Sequence, residues 1–275
     1  MSQLDSGTFK QVRDLIMSGY HLADIQKLPC PTALIPENTH VESLEVFSLE
    51  RFRFRGAMET TSIDDFVRYS VGYASGDEPA RCFIDADNML ARSIFNIGTL
   101  ENPGHADNVS TIKLKKTAPF RAVLAIDGNR LSQKQIAEWL EDWSEYLTAF
   151  DADGKIIDIS KAAQAVRRIT IQQATQQDHE DGDFSGRKSL MQSVEATSKD
   201  VMPVAFEFKC VPYEGLTERR FSLRNSLITG DEPRFVLRIV QLEAQEEAIA
   251  NEFRDLLIEK FDDEPVLTFI GNFKA

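Results

Sequence analysis

Polar and apolar positions alternate most regularly towards the end of the chain. Val204, Phe206, Phe208 and Cys210 alternate with Ala205, Glu207 and Lys209. Phe221, Leu223 and Leu227 alternate with Arg220, Ser222, Arg224 and Ser226, and Phe235, Leu237 and Ile239 with Arg234, Arg238 and Val240. Successive side chains of a strand point to opposite faces, so each run reads as a half-buried strand. Gly215 and Gly230-Asp231 mark two turns, which makes the three runs an antiparallel meander. A helix follows over 242–261, with Leu242, Ile249, Phe253, Leu256, Leu257 and Phe261 as a stripe able to cover that meander. A last strand over 266–270 completes the sheet.

Earlier in the chain the period changes repeatedly. Residues 8–27 carry Phe9, Val12, Leu15, Ile16, Leu22 and Ile25 at helical spacing, and Pro29, Pro31 and Pro36 then impose an extended connector over 28–40. Residues 51–55, Arg-Phe-Arg-Phe-Arg, alternate at strand period, with Arg51, Arg53 and Arg55 on one face and Phe52 and Phe54 on the other. Ser62 caps a predicted helix over 63–73. Strands are predicted over 81–85, 90–97 and 109–116. Ser132 with Gln135 matches a capping box and opens a helix striped by Ile136, Trp139, Leu140, Trp143 and Leu147. Another helix is predicted over 158–177. The polar stretch around 176–190 reads as a mobile hinge, so the expected organisation is an N-terminal half (1–175), that hinge, and a C-terminal meander with its helix (191–275).

Charge then changes the picture. If the apolar faces of the meander all turn to the core, Lys209, Arg220, Arg224, Arg234 and Arg238 share the opposite face, with Glu207 as their acidic companion at these strand positions. Residues 241–264 carry nine acids against Arg254 and Lys260. This half is therefore two-sided electrically. It could associate basic face to acidic face, pair internally with the acids of 178–183 or 231–232, or hold an anionic strand.

The formal net charge of −13 over 275 residues argues against non-specific wrapping of a nucleic-acid backbone, where affinity comes from neutralised phosphates. A local basic groove remains compatible with it. The start of the chain has no signal-peptide pattern, and no apolar run approaches the roughly 20 residues that span a bilayer. A cytoplasmic protein without a membrane partner is expected. Cys30, Cys82 and Cys210 are widely spaced and in no CxxC pattern, which indicates neither a disulfide framework nor a zinc site.

Candidate catalytic chemistry is sparse. Asp85 and Asp87 end a predicted strand and could share a magnesium ion, although Asp-x-Asp is common and also suits a turn. His105 lies in a polar loop beside Asp107, a pair able to move protons or simply to fix the loop. Residues 151–154, Asp-Ala-Asp-Gly, begin like a calcium loop but lack its later carboxylates. GxSxG, Walker A, GxGxxG and HExxH patterns are all missing, which removes the common enzyme classes without excluding dispersed catalytic groups. No cofactor is indicated.

The order of several short motifs resembles the YfdQ-like family of phage and prophage proteins, a domain of unknown function. Leu34-Ile35-Pro36 and Val41-Glu42-Ser43-Leu44-Glu45 carry the likeness, followed by the basic segment 51–56 and Asp65-Phe66-Val67-Arg68-Tyr69. Cys82-Phe83-Ile84-Asp85-Ala86-Asp87, His105-Ala106 and the helix with Trp139-Leu140-Glu141-Asp142 continue it, and the closing meander, helix and strand complete it. The likeness covers roughly residues 33–270. It departs in the approach to His105 and in the segment 176–188. It implies a phage or prophage origin and an intracellular role, and it brings no activity, cofactor or catalytic residue.

The expected fold is α+β, two linked halves, each an antiparallel sheet with helices packed on one face. The leading expectation for function is a non-enzymatic, self-assembling accessory protein acting through contacts with itself, a phage protein or a host protein. Modulation of host defence and support of replication or recombination are its settings. A single-stranded nucleic-acid binder using Arg51, Arg53 and Arg55 or the basic sheet face is the second, and a metal-dependent hydrolase using Asp85, Asp87 and His105 the third.

Overall fold

The computed structural model describes residues 7, 10–13, 44–169, 201–228 and 233–274. The expected connector 28–40 and hinge 176–190 lie outside the described residues. Of the helix expected over 8–27, residues 10–13 are described and are helical. The chain divides into two compact units, Met1–Phe54 and Arg55–Ala275.

In the first unit, Leu44–Phe47 forms one 3-10 turn, and the Phe52 N–H donates to Glu45 Oε1 at 3.0 Å. The strand expected over 51–55 does not form: these residues bend, and the first strand among the described residues starts at Gly56. Alternation stabilises a strand only when one face is buried, yet Phe52 and Phe54 are 95% and 53% exposed. Arg51, Arg53 and Arg55 therefore do not form a shared strand face.

Among its described residues the second unit holds two sheets. The strands are β1 (Gly56–Thr60), β2 (Ala80–Asp85), β3 (Leu90–Ile94), β4 (Asn108–Lys113), β5 (Arg130–Ser132), β6 (Leu147–Phe150), β7 (Ile156–Ile157), β8 (Ala205–Cys210), β9 (Arg219–Ile228), β10 (Arg234–Ile239) and β11 (Val266–Ile270). The helices are α1 (Ile63–Tyr73), α2 (Ala118–Ile126), α3 (Gln133–Asp142), α4 (Ile159–Arg168) and α5 (Leu242–Phe261). A five-stranded sheet runs β1-β4-β3-β2-β11, and a six-stranded sheet runs β5-β10-β9-β8-β6-β7. The six-stranded sheet is antiparallel throughout; in the other, β1 pairs parallel with β4 and β11 parallel with β2. The fold is α+β with two antiparallel-rich sheets.

Both sheets draw strands from either side of the expected hinge. β6 pairs with β8, β5 pairs with β10, and β11 crosses to β2. The last strand was expected to complete the meander, and it closes the five-stranded sheet instead. The covering helix differs too. The apolar face of the meander meets α2 and α3, where Phe120 stacks on Phe221 at 5.3 Å and Trp139 on Phe208 at 5.7 Å. α5 packs beside α1, with Phe66 edge-on to Phe261 at 6.1 Å and Lys260 on Asp64 at 3.0 Å.

Local chemistry explains the helix starts. Ser62 accepts from the Asp65 N–H, Thr117 from Phe120, and Asp158 from Lys161. Ser132 and Gln135 make both hydrogen bonds of the capping box. α2 was missed from sequence because Ala118–Ile126 is apolar almost all round and shows little period; Thr117 followed by Pro119 was the available signal.

Candidate basic sheet face

β8, β9 and β10 place their side chains as the alternation requires. Phe206, Phe208, Phe221, Leu223, Phe235 and Leu237 are buried. The outward face is read from the register. Lys209 stands directly opposite Arg220, Arg224 lies between Ala205 and Arg238, and Val236 faces Arg130. Directly opposed residues share a face, so Arg130, Lys209, Arg220, Arg224, Arg234 and Arg238 lie on one side of the sheet. The five cations expected there are brought together, and Arg130 joins them. Arg130 was missed because β5 is too short to show a period.

Two carboxylates temper this face. Lys209 pairs with Glu218 at 2.5 Å and Arg220 with Glu207 at 3.5 Å, with Glu207 partly buried and the other three side chains exposed. Exposed pairs of this kind contribute about 0–1 kcal/mol and are screened by salt. Arg224 and Arg234 also have interactions within the chain. Like charges directly opposed across strands, as in Arg224 with Arg238, are unfavourable unless an anion lies between or beside them.

The acidic helix lies on the other side of the same sheet. Arg219 has the inward parity of Phe221, and it reaches α5 to donate to Glu252 Oε2 at 2.8 Å and to the Ala248 carbonyl at 3.1 Å. Burial pushes the Glu252 carboxyl up, but hydrogen bonds from the Thr217 N–H and from Arg219 outweigh it and hold the group below its usual value. The remaining acids of α5, including Glu243, Glu246, Glu247, Asp255 and Glu259, are exposed.

The other sequence candidates are dispersed. Asp85 accepts from Asn88 Nδ2 and from Asn272 Nδ2 (2.7 Å to Oδ2), and so fastens a turn and the C-terminal tail. Asp87 is exposed at the rim of a cleft of about 360 Å³ beside Lys116, Tyr213 and the acids at the start of α5. His105 is exposed, and Asp107 accepts from Asn96 Nδ2 at 2.8 Å. Among the described residues, no group of three or more His, Cys, Asp or Glu is placed to hold a metal ion. Cys82 and Cys210 are buried, and burial pushes both thiols up to about 12. No helix among the described residues is long and apolar enough to cross a membrane.

No curated protein and no solved structure matches the chain. A family described as an uncharacterized conserved protein family, DUF2303, matches it over residues 23–273, and the chain belongs to that family.

Proposed function

We propose that the protein is a non-enzymatic, self-assembling accessory component that works through protein–protein contacts. One observation carries the reading: a basic sheet face and an acidic helix turn opposite ways within one compact unit, because Arg219 and Glu252 join α5 to the inward side of that sheet. Docking the basic face of one copy on the acidic helix of the next is a head-to-tail contact, which builds rings or filaments rather than closed two-fold dimers. A phage or prophage protein acting in the host cytoplasm, through its own copies or a host or phage partner, is the setting we assign to it.

Light scattering of the purified protein at low salt tests this reading. Salt-sensitive assembly that disappears in the double variant R220E/R238E is the expected result; a strict monomer at low salt would remove the proposal. The six cations on one sheet favour a second reading, single-stranded nucleic-acid binding. A mass shift on adding short single-stranded DNA, lost steeply as salt rises, would move that reading to first place.

A further inference from the structure

Among the described residues each sheet ends in two edge strands, and an edge is a row of backbone groups able to pair with another chain. Three of these four edges are blunted. β5 has three residues, β7 has two, and β1 carries Glu59. β11 has five residues, Val-Leu-Thr-Phe-Ile, with no charge and no proline. Leu267, Phe269 and Ile270 are 49%, 43% and 62% exposed.

The hydrogen-bond parity of β11 shows which groups look outward. The Ala80 N–H donates to the Pro265 carbonyl, and the Gly271 N–H donates to the Ile84 carbonyl. With the parallel register to β2, positions 265, 267, 269 and 271 therefore bond inward. Thr268 and Ile270 turn their N–H and C=O groups to the open side, where no described residue hydrogen-bonds with them.

We propose that β11 is a two-fold interface that pairs antiparallel with β11 of a second copy, joining two five-stranded sheets into one continuous sheet. The occupant follows from self-complementarity. With the two-fold axis at Thr268, Thr268 meets Thr268, Leu267 meets Phe269, and Val266 meets Ile270. Thr268, whose groups point outward, then forms a hydrogen-bonded pair with its own copy. No like charges oppose one another in the strand. On the outer face, Leu267 of one copy extends the aromatic row of the other, where Phe83 stacks on Phe269 at 5.3 Å and on Phe273 at 5.1 Å. The tail folds onto that face, through Asn272 to Asp85, and leaves the edge open. This contact is isologous and apolar, so it stands independently of the charged docking above.

Sedimentation of the full chain in about 1 M NaCl, where the Debye length falls to about 3 Å, separates the two contacts. Reversible association to twice the monomer mass is expected there, unchanged in R220E/R238E and weakened at least tenfold in T268P and in F269K. Proline at 268 removes an N–H that β2 does not use, as edge strands tolerate, and F269K keeps the strand intact should T268P misfold. Register is read by cross-linking in a C30S background. A hydrogen-bonded antiparallel pair holds its Cα atoms about 5.5 Å apart, within disulfide reach, so oxidised T268C gives a covalent dimer. I270C, displaced from its copy by roughly 13 Å along the strand, gives none. A monomer throughout with no T268C cross-link overturns the proposal, as does a dimer that survives both T268P and F269K.

Discussion

The two sheets manage their exposed surfaces in opposite ways. The six-stranded sheet puts its charge on its face and ends in strands of three and two residues. The five-stranded sheet keeps its five-residue edge strand β11 free of charge, and no described strand pairs with its outer side. Their inner faces differ as well. Beneath the six-stranded sheet lie aromatic stacks on Phe208 and Phe221. Beneath the five-stranded sheet, Ser70 of α1 donates to Ser93 Oγ at 3.0 Å and approaches Ser110 Oγ at 3.4 Å, all three side chains fully buried. The difference teaches that a charged face and an apolar edge report separately: salt weakens contacts made by the first and spares those made by the second.

The largest effect is expected where the six-stranded sheet meets its helices. Phe208 is fully buried against Trp139 and Tyr146, so F208A should cost about 3–5 kcal/mol in urea unfolding. S70A tests the polar inner face of the other sheet. Losing a hydroxyl from a buried cluster should cost about 1–3 kcal/mol, and a neutral result would mean that Ser93 and Ser110 satisfy one another.

E252Q probes the junction between α5 and β9, and it should cost about 1–2 kcal/mol at neutral pH. Because the folded-state pKa of Glu252 is depressed, its contribution is present above its unfolded value and is lost as pH falls through the folded one. Wild-type stability should therefore fall more steeply than that of E252Q as pH drops below about 4.3, a slope read from unfolding midpoints across pH. Next in size, S132A removes the cap beside β5 and should cost about 1 kcal/mol. Smallest in stability is R220E/R238E, within about 0.5 kcal/mol, although the same variant should abolish the salt-sensitive assembly. A large loss of stability there would show that the basic face is built into the fold rather than offered to a partner.

Much of the secondary structure was legible before the fold. The helix over 63–73, the capping box at Ser132 and the helix over 242–261 were read from caps and periodicity, and the meander from strict alternation. These signals are local, set by backbone hydrogen bonding within a turn or by the pleat of one strand. The basic face was legible for the same reason, since alternation fixes which side chains share a side. Residues 51–55 show the limit: the same alternation stands there without a buried face to hold it.

What the sequence by itself determined is the parity of each strand, the helix caps and the segregation of charge between residues 209–238 and 241–264. Only the tertiary structure decided which surfaces those segments meet: that α2 and α3 cover the meander, that α5 lies beside α1, and that β11 leaves the meander to pair with β2. The physical reason is that pairing and packing partners are chosen by long-range complementarity among surfaces of similar apolar character. Phe261 could cover a meander or an α1 helix equally well by its own chemistry. The choice is made only when every sheet and helix must be buried at once in one continuous core.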